Sequence, residues 1–156
     1  DFSMPYSGNM QVCVVRAEDA GTYQSTEDMV GANIAVEAES AGQKAVEADE
    51  NLSQAEMVAV GAQSDTLMEV AAGTSDVAVI DAVMAYASVG EGTSYSDLVV
   101  VDGIELGKEE YGIGFRKGSN LVEAVNTALQ ELTDEGVLDE LQQKYPSVLV
   151  TLEKSA

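Results

Sequence analysis

The sequence predicts an α/β fold in which a mostly parallel β-sheet lies between helices as the middle of three layers. Short runs of aliphatic and β-branched residues alternate with segments of helical periodicity, which is typical of βαβ units. Hydrophobic residues make up 46% of the 156 residues, and aromatic residues only 5%. The chain can therefore build an aliphatic core for one ordinary domain, or for a small domain with an appendage.

Five strands alternate with helices over the first two thirds of the chain. The strands are expected at residues 11–16, 33–37, 57–60, 76–80 and 98–101. The helices are expected at residues 25–31, 41–49, 65–72 and 82–89. Ser25 and Asp28 form a capping-box-like pair at the start of the first helix, and Gly31 and Gly73 are placed to end two of them.

The remainder of the chain predicts a strand–helix–helix appendage. A strand is expected at 111–116, an amphipathic helix at 121–135, a second helix at 137–145, and a possible strand at 148–152. The first of these helices carries one apolar face, formed by Leu121, Val122, Val125, Ala128, Leu129 and Leu132. This appendage has little sheet of its own to cover.

The composition excludes several classes of function. The formal charge of −21, from 28 acidic and 7 basic residues, argues against binding to nucleic acid or to an anionic membrane surface. The chain has no histidine, which excludes histidine triads and histidine metal sites, and we expect neither a metal nor a cofactor. Cys13 lies in an apolar run and is expected to be a small buried hydrophobe rather than a reactive thiol.

Two polar residues follow buried strands at positions where α/β sheets bind ligands. Ser40 follows the strand 33–37, and Asp81 follows the strand 76–80, so both are expected at the carboxyl edge of the sheet. Ser40, Ala41 and Gly42 open a helix, and the free N–H groups of a helix start can hold a carboxylate. The alternative is that Ser40 and Asp81 only cap the helices that follow them.

Six segments occur in the order typical of one protein family: DFSMPY (1–6), STEDMVG (25–31), IAVEAESAG (34–42), AAGTSDVAVID (71–81), YGIGFRKGS (111–119) and LDEL (138–141). On these segments the chain resembles the amino-acid-binding family of bacterial periplasmic solute-binding proteins, the receptors of ABC importers. The resemblance implies a periplasmic-binding-protein-like lobe, in a protein whose two lobes are joined by crossing strands and enclose the ligand.

The resemblance also implies a domain organisation. Residues 1–6 would be a hinge stretch from the first lobe, 7–110 the ligand-binding second lobe, and 111–156 the carboxyl-terminal piece of the first lobe. Tyr6 and Tyr111 would lie at the hinge. The family's first lobe is built mainly from residues before the DFS stretch, so this chain alone is expected to bind amino acids weakly or not at all. Its apolar 111–156 segment is expected to self-associate, with exchange of carboxyl-terminal segments as one form.

The resemblance assigns roles to individual residues. Asp81 matches the acid that pairs with the ligand's α-ammonium, and Ser40 and Ala41 match the turn that donates to its carboxylate. Gly42 belongs to the same helix start. Glu37 matches a position directed at the variable part of the ligand, although a solvated surface acid is an equal alternative. Many relatives have glycine where Glu39 stands, so a positive φ there would be costly.

The function implied is that of an extracytoplasmic solute-binding component of an ABC importer, not an enzyme. Its partners would be an amino acid or similar small zwitterion and the transporter's membrane subunits. It would act in the periplasm or at the outer face of the membrane, where a lipid anchor is one form of attachment. An enzyme of the same fold, similar to cyclohexadienyl dehydratase, and a sensory domain of a receptor kinase or regulator are the alternatives, because fold does not fix function.

Overall fold

The computed structural model of the chain describes residues 1–155 and contains seven strands and five α-helices in that range. The strands are β1 (Ser7–Arg16), β2 (Asn33–Glu37), β3 (Glu56–Val60), β4 (Val77–Asp81), β5 (Leu98–Val100), β6 (Leu106–Tyr111) and β7 (Leu149–Val150). The helices are α1 (Ala41–Ala48), α2 (Gln63–Ala72), α3 (Ala82–Ser88), α4 (Leu121–Asp134) and α5 (Val137–Lys144). No helix among these residues is both long and apolar enough to cross a membrane.

The sheet has the strand order β3–β2–β4–β1–β5, and β6 and β7 also pair with β1. Strand β2 is parallel to β3 and β4, whereas β1 is antiparallel to β4 and β5. Strands β2 to β5 therefore share one direction and β1 runs against them. The predicted fold class is confirmed, with one reversed strand between β4 and β5 that the sequence did not reveal.

Both faces of the sheet are covered, because side chains along a strand alternate between its two faces. On one face, Cys13 and Val15 of β1 pack in a cluster with Val46 of α1. On the other face, Val12 and Val14 pack in a cluster with residues of α2 and α3, which are Leu67, Val70, Ala82 and Ala85. The predicted three layers are thus present.

Two segments differ from the sequence prediction. The strand expected at 111–116 is wrong, because β6 ends at Tyr111 and only an isolated bridge between Phe2 and Gly114 follows. Strand β6 carries Lys108, Glu109 and Glu110 and is mostly exposed, so no alternation of apolar residues marked it. The helix expected at 25–31 is a single 3-10 turn, Glu27–Met29, although Asp28 accepts hydrogen bonds from Ser25 as predicted.

The chain divides into two compact units. The central unit is Met10–Gly107, and the terminal unit is Asp1–Asn9 together with the chain from Lys108 onward. These boundaries lie a few residues from those expected at 6/7 and 110/111, and the assignment of the units to lobes of a two-lobe receptor stays a prediction. All of the buried hydrophobic residues belong to the central unit.

The terminal unit brings its two chain segments together by backbone pairing. Ser3 N–H donates to Ile113 O at 2.9 Å, and β7 pairs antiparallel with the first residues of β1. Its helices α4 and α5 confirm the predicted helix pair. They leave large apolar side chains exposed, among them Leu121 at 57%, Leu132, Leu141 and Tyr145.

Candidate functional site

Several chain segments that are distant in sequence meet at one edge of the central unit's sheet. The parallel strands β2, β3 and β4 all end there, with Glu37 opposite Val60 in the register of β2 and β3. Because β1 is antiparallel to β4, its residue Gln11 lies opposite Asp81 at the same edge. Helices α1, α2 and α3 begin just after these strand ends, so three helix starts accompany the edge.

The start of α1 is capped as the sequence predicts. Ser40 Oγ accepts a hydrogen bond from Gln43 N–H at 3.1 Å, so the N-cap interpretation of Ser40 is confirmed. Gln43 Oε1 in turn accepts from Glu39 N–H at 2.8 Å. The amides of Ala41 and Gly42 are the first two of the helix and have no acceptor within it. The serine hydroxyl keeps its own hydrogen for a further acceptor.

Gly42 lets α1 approach β4 more closely than any other residue would. A Cβ atom built on Gly42 would lie 2.8 Å from the carbonyl oxygen of Val79 and 3.3 Å from Gln11 Oε1. Val79 stands two residues before Asp81 on the same strand. The missing side chain therefore brings the open amides of α1 close to the strand end that carries Asp81.

Asp81 is the last residue of β4 and precedes α3, but its side chain does not cap that helix. Its Oδ1 accepts from Gln11 Nε2 at 2.7 Å, and its Oδ2 accepts from Gln63 Nε2 at 2.6 Å. Its backbone N–H donates to Gln63 Oε1 at 3.2 Å. The capping alternative for Asp81 is therefore wrong. Both glutamines are neutral, so they orient the carboxylate without neutralising it.

Neither glutamine is predicted from the sequence. Gln11 is 1% exposed and lies in an otherwise apolar strand, which is the feature that could have revealed it, because a buried polar group needs a partner. Gln63 is the first residue of α2 and follows Ala62, which has no capping side chain. Nothing in the sequence alone links either of them to Asp81.

Glu37 and Glu39 flank the same turn. Glu37 ends β2 half-buried, and its proposed contact with a ligand stays a prediction beside the surface alternative. Glu39 has φ of 61°, and it is the only non-glycine residue with a positive φ in the described part of the chain. The concern raised by the sequence is thus confirmed, since this position is one that glycine would occupy without strain.

The remaining predicted residues lie elsewhere or are inert. Tyr6 N–H donates to Tyr111 O at 3.0 Å within the terminal unit, and the hinge role of both residues stays a prediction. Cys13 is fully buried, and burial raises the pKa of its thiol to about 12, with a smaller contribution from the charge of Asp49. This confirms Cys13 as a small buried hydrophobe. Residues 1–155 contain no cluster of three or more metal-binding side chains.

Known proteins share this architecture. The chain is 24% identical over 152 residues to the L-cystine-binding protein TcyJ of Escherichia coli K12, a match that covers 97% of this chain and 55% of that protein. The chain thus spans about half the length of this curated relative.

Solved structures agree more closely. A mutant of ArgBP from T. maritima gives a TM-score of 0.72 at 32% identity, covering 94% of this chain and 62% of that one. An arginine-bound mutant of ArgBP gives a TM-score of 0.66 at 32% identity, and the match covers 85% of this chain and 59% of that one. The ancestral amino acid-binding protein AncCDT-1 is described as a precursor of cyclohexadienyl dehydratase. It gives a TM-score of 0.72 at 28% identity, and the match covers 92% of this chain and 60% of that one.

The match to a protein family covers almost the whole chain, from residue 1 to residue 148. It includes the strand ends and helix starts described above. The chain therefore belongs to the bacterial extracellular solute-binding proteins, family 3.

Proposed function

We propose that the chain binds an amino acid as the extracytoplasmic solute-binding part of an ABC importer. The observation that carries the proposal is the meeting of the α1 start with the Asp81 carboxylate at one sheet edge. The amides of Ala41 and Gly42 and the Ser40 hydroxyl would donate to the ligand's α-carboxylate, while Asp81 would accept from its α-ammonium.

The two subsites are complementary to the two charges of a zwitterion. A helix start carries roughly half a positive elementary charge together with unpaired N–H donors, which favours a carboxylate. A hydrogen bond between an ammonium and a carboxylate is shorter and about twice as strong as one between neutral groups. A ligand with only one of these charged groups would lose one of the two subsites.

The charge of the central unit favours a ligand with an additional positive group. Residues 10–107 contain eighteen acidic side chains and two basic ones, Arg16 and Lys44. Such a surface attracts cations and steers their approach. ArgBP, a structural neighbour, is known in an arginine-bound form. L-Arginine is therefore the first candidate ligand, and Glu37 would meet its guanidinium. L-Cystine is the second candidate.

The proposal is tested by titrating the 15N-labelled chain with L-arginine, L-cystine and the other common amino acids, with NMR detection. NMR detects even millimolar affinity, which is the weak range expected of this chain. We expect the amide signals of Ser40, Ala41 and Gly42 to shift with the bound amino acid. We expect no such shift with the corresponding amine that lacks the carboxylate.

The matched variants are Asp81→Asn and Asp97→Asn. Each removes one negative charge, but Asp97 is exposed and precedes β5, at the opposite edge of the sheet from Asp81. We expect Asp81→Asn to weaken binding at least tenfold, since a hydrogen bond to a charged group contributes about 1.5–3 kcal/mol. Asp97→Asn should bind as the unchanged chain does. Equal amino-acid affinities of the unchanged chain, Asp81→Asn and Asp97→Asn would refute the proposal.

The wider role follows from the family. In the importer, closure about hinge residues such as Tyr6 and Tyr111 would couple ligand occupancy to docking on the transporter's membrane subunits. The central unit would act as the ligand-binding lobe, and the terminal unit would belong to the other lobe. The protein would work outside the cytoplasmic membrane, either in the periplasm or attached to the membrane by a lipid.

A dehydratase of the same fold is the second candidate function. It is favoured by the similarity to AncCDT-1, a precursor of cyclohexadienyl dehydratase. The chain has no histidine to act as a general acid or base, which favours binding over catalysis. Turnover of a prephenate-like substrate that disappears in Asp81→Asn would establish the enzymatic alternative.

Self-association through residues 111–156 is also proposed. It is supported by the exposed apolar residues of α4 and α5, because large exposed apolar patches usually mark interaction sites. A second copy of the chain would cover them, with exchange of carboxyl-terminal segments as one arrangement. Light scattering should give a mass above that of one chain at micromolar concentration, and a well-folded monomer would contradict this.

A further inference from the structure

We infer that Gln11 and Gln63 are positioning residues that hold the Asp81 carboxylate in place for the ligand's ammonium. The inference rests on the proposed function and extends it to two residues outside the predicted site. Neither glutamine needs to touch the ligand. Their contribution would be to fix the direction of the charge that does.

Gln63 holds Asp81 by two atoms at once. Its Nε2 donates to Asp81 Oδ2 at 2.6 Å, while its Oε1 accepts from the backbone N–H of Asp81 at 3.2 Å. Rotating the amide by half a turn would place two acceptor oxygens against each other at the carboxylate. The orientation of the amide is therefore fixed, and with it the rotamer of the aspartate.

Gln11 links Asp81 to the start of α1. Its Nε2 donates to Asp81 Oδ1 at 2.7 Å, and its Oε1 lies 3.3 Å from the position that a Cβ of Gly42 would occupy. The amide of Gln11 thus lies between the carboxylate and the first helical turn. Its length sets the spacing between the two charged subsites.

The fold alone gives little reason for an amide at position 11. The side chain is buried, and the neighbouring strand positions are filled by aliphatic residues such as Val12 and Val14. Burying an amide is costly unless its hydrogen bonds are made, whereas an apolar residue of similar size would carry no such cost. Neutral donors orient a carboxylate and leave its charge to act on a cation. A lysine or arginine in the same place would neutralise it.

The test compares the ligand with an analogue that lacks only the α-ammonium. The chain is titrated by NMR with L-arginine and with 5-guanidinopentanoate, and the ratio of the two dissociation constants measures the ammonium interaction. The variants are Gln63→Met and Gln11→Met, which keep an unbranched side chain of similar length and remove the amide. Gln54→Met is the control, because Gln54 is exposed and donates to Glu50 O, away from Asp81.

We expect the unchanged chain to prefer L-arginine, and each amide deletion to reduce that preference by about tenfold, the scale of one hydrogen bond to a charged group. Binding of 5-guanidinopentanoate should stay constant, as should both affinities of Gln54→Met. Thermal unfolding verifies that each variant folds. If Gln11→Met does not fold, Gln63→Met still tests the inference, because Gln63 is partly exposed.

The outcomes separate the two proposals. A purely structural role would weaken both ligands equally and leave the ratio unchanged, which would overturn this inference while leaving the proposed function intact. If the unchanged chain shows no preference for L-arginine over 5-guanidinopentanoate, the ammonium site itself is refuted, and the proposed function fails together with the inference.

Discussion

Gly42 is the position at which one added methyl group should disturb both the fold and the site. In most helices, replacing glycine with alanine stabilises the helix by about 1 kcal/mol. Here the added Cβ would lie 2.8 Å from the carbonyl oxygen of Val79, a backbone atom that cannot move without shifting β4. Overpacking of this kind costs about 1–3 kcal/mol. We therefore expect Gly42→Ala to lose up to about 2 kcal/mol net, the opposite sign to helix propensity.

The assay is equilibrium unfolding in urea, followed by circular dichroism at 222 nm. Gly21→Ala is the matched control, because a Cβ at Gly21 has no atom within 4 Å and its backbone is not in the left-handed region. That control should leave the free energy of unfolding unchanged, or raise it by up to about 1 kcal/mol by restricting the unfolded chain. The difference between the two variants therefore combines the contact with Val79 and the helix propensity of alanine at position 42.

Gly42→Ala should also act on the site. Moving α1 away from β4 separates the amides of Ala41 and Gly42 from the strand that carries Asp81. The NMR titration should then show weaker amino-acid binding even where the protein is fully folded. If Gly42→Ala is as stable as the unchanged chain and binds amino acids as tightly, neither the fold nor the site requires the close approach of α1 to β4.

Two further changes test the strain and the burial described above. Glu39→Gly should raise the free energy of unfolding by about 0.5–1 kcal/mol. The left-handed backbone strains Glu39 by about 1–2 kcal/mol, and relief of this strain exceeds the entropic cost of glycine. A lower free energy of unfolding in the same urea assay would contradict this prediction. Burial raises the pKa of Cys13 from 9.0 to about 12, so the thiol's stabilising contribution is complete below pH 9 and is lost as the pH rises towards 12. Between pH 8 and pH 10 the free energy of unfolding of the unchanged chain should fall by about 1.4 kcal/mol more than that of Cys13→Ala. Equal decreases in the two proteins would show that folding does not raise the pKa of the thiol.

The sequence predicted the central unit well because its strands are short, apolar and separated by recognisable helix starts. Ser40 was placed correctly as an N-cap, since capping depends on residues within three positions of each other. Asp81 was placed at the correct strand end for the same local reason. The alternative that Asp81 only caps α3 is wrong, because the partners of its side chain come from β1 and from the start of α2.

The sequence was less informative where the chain is exposed. Strand β6 is not predicted, because Lys108, Glu109 and Glu110 give it no apolar alternation. It forms a strand by pairing with β1, which is distant in sequence. The neighbouring stretch 111–116 alternates apolar residues with glycine, a pattern that predicts a strand. Apolar alternation indicates a strand only where a sheet face is available to bury it, and here Tyr111 and Ile113 remain exposed.

The reversed direction of β1 has the greatest consequence for the site. Had β1 run parallel to β4, its register would differ, and nothing would set Gln11, the fifth of its ten residues, opposite Asp81. The antiparallel register instead sets Gln11 directly opposite Asp81, where its amide reaches Oδ1 at 2.7 Å. Strand direction is fixed by the whole sheet and leaves no mark on the five or six residues of a strand. The carboxylate at the end of β4 can therefore be found from the sequence, whereas the groups that orient it emerge only from the topology.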